Sequence, residues 1–437
     1  MQDNLKWVKR ALVSTVSGLI ALASAPVLAK PVELEVWHLM NSVHSQEFVR
    51  LVEQFNKDHK DIQVKLVKKR DMNELIQSGV AALKAKRSPH LVELTDVRSP
   101  EYVAGQVSVL PMHQLFASYP VRDLQWFLPQ SSGALRDAQG RLLAFPLMTE
   151  APVLFYNRDL YARAGLNPNQ PPKTWRELQE HLIALSQIGV GCPYGTSWQS
   201  WIHVENTAAL HNKPFASNDN GLKGASTAQL QINNLLYVRH FALMMSWVRS
   251  NLFPVRTHRD EADARFASGE CAVLTSGTGA IAAIQAQSKF SVGIAPLPYY
   301  DEEAARASNP FIGGSSLWAS GGKPAAENKA TAAFLAYLAS PVVAAEWHQK
   351  TGFLPLTQAA WRASNVSYYK NIPGAEQVVE AMSTKPGANN RGYRLRNYAQ
   401  VTEIIDAELD AIWQGAKPPK QGLDDAVARA NIVIRGK

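Results

Sequence analysis

Strand and helix patterns alternate along residues 32–94, and this alternation limits the possible folds more than any other feature of the 437-residue sequence. Apolar and polar side chains alternate at 32–37 and 62–67, which predicts two strands, and a third short strand is expected at 90–94. Between them, apolar residues recur at helical spacing, at Phe48, Leu51, Val52 and Phe55 and again at Leu75, Val80 and Leu83. This order predicts an α/β fold with a parallel sheet, in which ligands bind at the carboxyl ends of the strands.

The rest of the chain predicts a second lobe. Residues 142–157 have the pattern of two interrupted strands, residues 291–296 that of another strand, and the chain turns near Phe353 after a helix. We interpret these three places as passages between two lobes, which form a hinge with the ligand in the cleft between them. The predicted boundaries are residues 30–148 and 287–345 for the N-terminal lobe, and 149–286 and 346–437 for the C-terminal lobe.

Helix boundaries are marked most clearly at Thr174. Glu177 follows Thr174 at the spacing of a capping box, which predicts a helix that begins after Thr174 and continues to Ile188. The C-terminal tail has two amphipathic patterns, at 401–413 and 423–434, and these predict two further helices.

Residues 1–29 have the pattern of a cleaved signal peptide. Basic residues precede the mainly apolar run 11–23, which is shorter than the roughly 20 residues that span a bilayer. Val27 and Ala29 are small residues at the positions that a signal peptidase reads. We expect cleavage after Ala29 and a soluble, monomeric periplasmic protein; the alternative is an uncleaved membrane anchor.

The charge pattern gives no sign of a nucleic-acid partner. The formal net charge is +8, and the basic residues are dispersed among acidic ones. A protein that binds nucleic acid usually gathers its basic residues on one face or along one helix. We therefore predict no nucleic-acid binding.

Two cysteines, Cys192 and Cys271, occur in the chain. A disulfide between them is possible in an oxidising compartment, and it would close a long loop. Two buried free thiols fit the sequence equally well, so both interpretations stay open here.

Motifs for catalysis or metal binding are absent from the sequence. It contains no HExxH and no GxSxG, and His203 and His211 have only Glu205 near them. Gly-rich segments at 276–279 and 313–316 resemble phosphate loops but lack the P-loop lysine. We predict that the chain is not an enzyme and binds no metal or cofactor, and that these turns let backbone amides approach a ligand. A secreted hydrolase on the same scaffold is a remote alternative.

Several segments of the chain carry a family resemblance, namely Trp37-His38 and residues 151–157, 170–175, 198–202, 214–217, 312–318 and 346–352. In these segments the sequence resembles the periplasmic glycerol-3-phosphate-binding proteins, within the extracellular solute-binding proteins related to maltose-binding protein. The resemblance covers nearly all of residues 30–437. It implies a two-lobe type II periplasmic-binding-protein fold, a small-molecule solute, and an inner-membrane ABC permease with ATPase subunits as partners.

The resemblance also implies a set of ligand-binding residues: Met72, Asp96, Glu150, Trp198, Trp201, Gly277, Thr278, Gly314, Phe353 and Thr402. In the family the two tryptophans flank the glycerol part of the ligand. The three-residue spacing of Trp198 and Trp201 taken alone also fits ordinary helix packing, so the residues by themselves do not decide between cleft and core.

The ligand set departs from the family where the phosphate is held. Glu150 and Gly277 stand where the family has serines, and Thr402 stands where it has an arginine. Met72 and Phe353 replace tyrosines, and Asp96 replaces a glutamate. Most of these changes remove a hydrogen-bond donor or a positive charge, and Glu150 adds a carboxylate.

These departures leave the ligand open. It is a polyol phosphate or glycerophosphodiester held by rearranged contacts, or a neutral or cation-bearing polyol or saccharide. Compensation by Arg391, Arg394 and Arg396 is a further possibility, against a solvated basic turn.

Overall fold

The computed structural model describes residues 30–96, 99, 108–121, 124–128, 135–137, 139–382 and 386–436. The predicted signal peptide lies outside these residues. The described chain forms two β-sheets, each with its own hydrophobic core, and the predicted two-lobe α/β architecture is confirmed.

The first sheet has the strand order β2-β1-β3-β11-β4, and β5 also pairs with β11. Its first three strands are parallel, as predicted, and β11 runs antiparallel to β3. Alternation along β1 buries Leu34 and Val36 completely, which is the reason this segment forms a strand. The strand bounds are β1 Val32–His38, β2 Ile62–Lys68, β3 Leu91–Thr95, β4 Val109–Leu110, β5 Phe145–Glu150 and β11 Gly313–Ser320.

The second sheet has the order β10-β6-β9-β7-β8. Alternate residues of β6 enter different cores: Leu154 and Tyr156 pack on one face, and Val153 and Phe155 on the other. Both faces of the sheet are therefore covered by helices, and β6 is buried along its whole length. The strand bounds are β6 Pro152–Asn157, β7 Cys192–Thr196, β8 Val255–Arg256, β9 Cys271–Gly277 and β10 Val292–Pro296.

The α-helices surround both sheets. Thr174 forms the predicted capping box, since its hydroxyl accepts from the Glu177 N–H at 3.1 Å and the Glu177 carboxylate accepts from the Thr174 N–H at 3.3 Å. The helices around the first sheet are Ser42–Asp58, Met72–Lys84, Met112–Ser118, Ala325–Leu338, Pro341–Thr351 and Gln358–Ala363. Those of the rest of the chain are Arg158–Arg163, Trp175–Gln187, Asn206–Leu210, Ser217–Asn220, Leu235–Arg249, Glu261–Ala267, Ile281–Gln287, Val366–Asn371, Ala375–Met382, Tyr398–Trp413 and Pro419–Arg435.

The first predicted passage between the lobes lies where it was expected, and the second does not. β5 ends at Glu150 in the first sheet and β6 begins at Pro152 in the second. The strand predicted at 291–296 is β10, which pairs with β6, so the assignment of residues 287–312 to the N-terminal lobe is wrong. Phe311 still packs in a core of the second sheet, and the chain enters the first sheet only at Gly313.

The third passage also differs from the prediction, because the chain remains in the first lobe longer than expected. Trp347 and Ala360 both pack in the core of the first sheet, whereas Tyr369 packs against the second. The boundary predicted at residue 346 is therefore wrong. Residues 353–360 contact both cores, since Leu354 packs in that of the second sheet, and the chain stays with the second core from Trp361 onward. A sequence pattern shows that a segment is a strand or a helix, but not which core it joins.

Cys192 and Cys271 form a disulfide, with their Cα atoms 4.5 Å apart. They stand opposite each other on the adjacent parallel strands β7 and β9. The bridge joins residues 79 positions apart in the sequence. A loop of that length, when closed, typically contributes about 2–4 kcal/mol by restricting the unfolded chain.

Among the described residues, no single helix is both long and apolar enough to cross a membrane. The two consecutive helices Ala325–Leu338 and Pro341–Thr351, taken together, are long and apolar enough by length and composition alone, but they meet at an angle of 63°.

Candidate ligand-binding site

Glu150 occupies the first passage between the lobes and lies directly over the end of β9. The N–H of Gly279 donates to Glu150 Oε2 at 3.1 Å. A Cβ atom on Gly277 would meet Glu150 Oε2 and would lie 2.7 Å from its Cδ, closer than real Cβ atoms come. Two departures from the family are thus one structural change, because the Glu150 carboxyl fills the space that a serine at position 277 would need.

We therefore expect Gly277→Ser alone to destabilise the protein by about 1–3 kcal/mol, as overpacking of a filled site does. Adding Glu150→Ser should restore most of the lost stability, since it removes the colliding carboxyl. Urea unfolding of the two single variants and the double variant measures this coupling. Additive effects of the two substitutions would contradict the proposed exclusion.

Thr278 and Phe353 pack around the same passage. The Thr278 N–H donates to the Ala151 carbonyl at 2.9 Å, and its hydroxyl accepts from the Ala151 N–H at 3.2 Å. Phe353 is 5% exposed, and its ring lies against Gly279 and 4.5 Å from the ring of His44. Without a hydroxyl, this ring gives the site an apolar edge where the family has a phenol.

The first sheet contributes Asp96 and Gly314. The Asp96 N–H donates to the Gly314 carbonyl at 3.0 Å, and the Ser316 hydroxyl donates to Asp96 Oδ1 at 3.1 Å. Gly314 has a φ of +112°, and a Cβ there would collide with the Met148 carbonyl oxygen. The position therefore requires glycine.

Trp201 connects the second lobe to this group. Its indole N–H donates to the Phe311 carbonyl at 3.1 Å, and a Cβ on Gly313 would lie 3.0 Å from its ring. Gly313 in turn pairs with Glu150 across the first sheet. Trp201 is half-buried, so it is neither a core residue nor a free surface residue.

The remaining three predicted residues have other neighbours, and no hydrogen bond or ion pair among the described residues joins their side chains to Glu150. Trp198 follows β7 with a φ of +52° and is half-buried. Thr402 donates its hydroxyl to the Tyr398 carbonyl of its own helix at 3.0 Å. Met72 begins its helix and packs against the first core.

The three arginines considered as substitutes for Thr402 have other neighbours. Arg391 forms an ion pair with Asp219 at 2.6 Å. The Arg396 guanidinium lies beside Gly436, near the end of the chain. Arg394 is half-buried. Burial lowers the pKa of its guanidinium, and the charge of Asp137 opposes this. None of these neighbours belongs to the predicted ligand set.

Acidic residues that sequence reasoning missed surround the predicted set. The Ser197 hydroxyl donates to Asp263 Oδ1 at 2.6 Å. Tyr393 and Tyr398 each donate a hydroxyl hydrogen to the Glu205 carboxylate at 2.6 Å. Asp263 is the third residue of the helix Glu261–Ala267. Acidic residues are common in the first turn of a helix because they interact favourably with its N-terminus, so this position by itself needs no other explanation. Nothing in its local pattern pointed to the cleft.

Burial raises the pKa values of these carboxyls strongly. Burial raises the pKa of Glu150 to about 7. The hydrogen bond from the Gly279 N–H lowers this pKa, and the charges of Asp263 and Asp96 raise it. Burial also raises the pKa values of Asp96 and Asp263 to about 7. The site therefore offers partly protonated acidic groups at neutral pH, where the sequence predicted one fixed negative charge.

The described residues contain no group of three or more histidine, cysteine, aspartate or glutamate side chains placed to hold a metal ion. A cavity of about 580 Å³ lies away from Glu150, lined by Leu124, Gln125, Trp126, Arg136, Gln358 and Arg362. None of the ten predicted ligand residues lines this cavity.

Comparison with known proteins identifies the family. Residues 50–374 match the bacterial extracellular solute-binding proteins. The chain is a bacterial extracellular solute-binding protein. It is 35% identical over 432 residues to the sn-glycerol-3-phosphate-binding periplasmic protein UgpB of Pectobacterium atrosepticum, covering 98% of this chain and 97% of that protein. It is 36% identical over 403 residues to the UgpB of Salmonella typhimurium, covering 91% and 92%.

Solved structures of this kind share the fold. UgpB from Mycobacterium tuberculosis in complex with glycerophosphocholine superposes with a TM-score of 0.72 at 22% identity, over 92% of this chain and 98% of that chain. The cyclic α-maltosyl-1,6-maltose binding protein of Arthrobacter globiformis gives a TM-score of 0.72 at 20% identity, over 93% and 100%. The resemblance to this family is thereby confirmed.

This solute-binding protein is periplasmic and serves as the substrate-binding subunit of an ABC importer. It binds a small-molecule solute and works with permease and ATPase subunits.

Proposed function

We propose that this solute-binding protein captures a glycerophosphodiester-class solute, with the glycerol part against Trp198 and Trp201. The names of its relatives specify sn-glycerol-3-phosphate, and the mycobacterial structure contains glycerophosphocholine. Both support a glycerol-based ligand bound by the ten predicted residues. The observation that carries the choice of a diester is the position of Glu150, whose carboxyl lies over Gly277 and accepts from Gly279.

Electrostatics favours the diester over the monoester. A carboxylate within about 4–6 Å of a phosphate dianion repels it, and closure of the cleft would strengthen the repulsion by excluding water. A diester carries a single negative charge. If its head group is cationic, as in choline esters, the carboxyls of Asp96, Glu150 and Asp263 attract that group.

Calorimetry with the purified protein tests the proposal. We expect glycerophosphocholine to bind at least tenfold more tightly than sn-glycerol-3-phosphate. Tighter binding of sn-glycerol-3-phosphate would overturn the choice of a diester.

A neutral polyol or saccharide is the second candidate, and the carboxyls themselves favour it. Buried carboxyl groups accept hydrogen bonds from hydroxyls, and tryptophan rings pack on sugar faces. Maltose and glycerol belong in the same titration series. Binding of maltose without binding of either phosphate compound would establish this candidate in place of the first.

The two tryptophans give a direct measure of the glycerol contact. Trp198→Ala and Trp201→Ala should each weaken binding of glycerophosphocholine by about 1–3 kcal/mol, since each removes apolar contact area. Calorimetry measures the loss, and circular dichroism checks folding. Trp126→Ala, a half-buried tryptophan that packs against Phe116 and Phe145 instead, is the matched control. Normal binding by both variants would assign the rings to the core.

Capture should close the two lobes about the passages at Ala151, at Ile312 and in residues 353–360. We expect saturating glycerophosphocholine to reduce the radius of gyration measured by small-angle scattering. Bovine albumin treated in the same way controls for a solvent effect. An unchanged scattering profile at saturation would argue against a hinged receptor.

We further propose that the mature protein begins at Lys30, is monomeric, and captures its ligand without turning it over. Intact-mass measurement of exported protein gives the cleavage site, and the scattering mass gives the oligomeric state. Incubation with aryl phosphates and aryl glycosides would reveal hydrolysis.

A further inference from the structure

Asp406 lies in the helix Tyr398–Trp413, one turn after Thr402. One oxygen of its carboxyl accepts no hydrogen bond from the described residues. The residue is 6% exposed, and its Oδ1 has no hydrogen-bond partner in the described part of the chain. A buried acceptor without a donor is costly to the folded state, so native proteins rarely keep one without a reason.

The neighbours of Asp406 lie in the segment between the two predicted cleft tryptophans. Gln199 and Ser200 stand between Trp198 and Trp201 in the sequence, and both hydrogen-bond to the Asp406 carboxyl. Burial raises the pKa of Asp406, and these two hydrogen bonds lower it. Gln199 itself is fixed, because the Trp413 indole N–H donates to its Oε1 at 2.9 Å. Asp406 is thus attached to the segment that carries both cleft tryptophans.

The surrounding charges leave Oδ1 available. His258, whose Nε2 lies 2.9 Å from Asp410 Oδ2, is the nearest source of positive charge, and Asp410 and Glu205 are the other acidic neighbours. His258 is exposed, and its contact is with Asp410. Among the described residues, no lysine or arginine forms an ion pair with Asp406.

We propose that Asp406 is a further ligand-binding residue, which accepts a hydrogen bond through Oδ1 from a donor group of the solute. The donor is a polyol hydroxyl or a protonated amine, since a carboxylate binds either. This inference rests on the proposed function in one respect, the use of the cleft beside the two tryptophans. It extends the binding surface by one helical turn beyond Thr402.

The substitution Asp406→Asn tests this role with two independent readouts, binding and stability. It keeps the shape of the side chain and one acceptor oxygen for Gln199 and Ser200, and it replaces the other oxygen with an amide that cannot accept a hydrogen bond. Binding of glycerophosphocholine should weaken at least tenfold. The ligand-free variant should unfold at nearly the same urea concentration as the unmodified protein, since the lost acceptor had no partner. Asp406→Leu should weaken binding as well, but it should also lower stability, because Gln199 and Ser200 then lose their acceptor.

Glu403→Gln is the matched control, because it makes the same change from carboxyl to amide at an exposed position of the same helix. It should leave binding within twofold of the unmodified protein. Comparison of glycerol with ethanolamine in the same titrations separates a hydroxyl donor from an amine donor.

A large loss of stability in Asp406→Asn would overturn the inference, since both carboxyl oxygens would then be part of the structure. Unchanged binding in that variant would overturn it as well. If the unmodified protein fails to bind glycerophosphocholine, the proposed ligand is wrong, and the stability readout still decides the role of Asp406.

Discussion

Replacing Glu150 with serine and Thr402 with arginine should increase the affinity for sn-glycerol-3-phosphate by about 100-fold or more. The first change removes a carboxyl that repels the dianion, and the second restores a guanidinium that can bind phosphate with two hydrogen bonds. Hydrogen bonds to charged groups contribute about 1.5–3 kcal/mol each, and about 1.4 kcal/mol corresponds to tenfold in affinity. Thr402 itself is half-buried, so the arginine would start from a position that is not fully solvated.

Calorimetry at pH 8 is the appropriate measurement, since the phosphate is then a dianion and Glu150, with its pKa raised to about 7 by burial, is mostly ionised in the unmodified protein. Gln400→Arg adds the same charge to an exposed position of the same helix, and it should change the affinity little. Equal gains from Glu150→Ser with Gln400→Arg, which makes the same net charge change, and from Glu150→Ser with Thr402→Arg would show that only net charge matters. Tight binding by the unmodified protein would show that other residues hold the phosphate.

The stability of the protein should fall by roughly 1–2 kcal/mol between pH 6.5 and pH 8. Burial raises the pKa values of Glu93, Asp96, Glu150, Glu205 and Asp263 to about 7. In the unfolded chain these groups titrate near pH 4, so between these values the folded state holds protons that the unfolded state has released. Their contribution is complete below about pH 4 and is lost as the pH rises through 7.

Buried histidines act in the opposite direction at lower pH. Burial lowers the pKa values of His38, His44 and His348 to about 4, so the unfolded chain binds protons more strongly than the folded chain between about pH 4 and 6.5. At pH 6.5 these histidines are still about half protonated in the unfolded chain, since their ordinary pKa is 6.5, so up to about pH 7.5 their titration offsets part of the loss caused by the carboxyls. The total stays small because Asp96, Glu150 and Asp263 are only half-buried and solvent screens them.

Urea unfolding at pH 6.5, 7.2 and 8.0 measures this slope. Glu205→Gln, which removes the titration of a carboxyl that is 2% exposed, should reduce the loss by about a quarter to a half. Glu180→Gln, on the surface helix Trp175–Gln187, is the control and should leave the slope unchanged. A stability that rises from pH 6.5 to pH 8 would contradict the assignment.

Local features of the fold could be predicted from the sequence, whereas the assignment of segments to lobes could not. Periodicity predicted β1, β2, β3 and β10, and the Thr174 capping box predicted the start of its helix. These signals are local and report burial of one face. β10 pairs with β6, which is distant in the sequence, so no local pattern could show which sheet β10 joins. The pairing of Cys192 with Cys271 likewise depends on the adjacency of β7 and β9.

The candidate site shows the same division. The resemblance led to Glu150, Gly277 and Phe353, and the structure brings all three together around Gly279. Asp263 and Asp406 had no signal, since an acidic residue in a helix usually lies on a solvated surface. Their role depends on which neighbours bury them. The protonation of Glu150 could not be predicted either, because a pKa shift depends on the burial and charges that only the folded chain creates.

The mutual exclusion of the Glu150 carboxyl and a side chain at position 277 also limits the order in which this receptor could have diverged from relatives that have serine at both positions. A glutamate introduced at position 150 opposite a serine at position 277 would meet an occupied space, whereas a glycine introduced first at position 277 opens that space at little cost. The historical path with the fewest unstable intermediates therefore passes through an ancestor with serine at position 150 and glycine at position 277. Reconstructed ancestral sequences of this branch should contain that combination before any with glutamate at position 150.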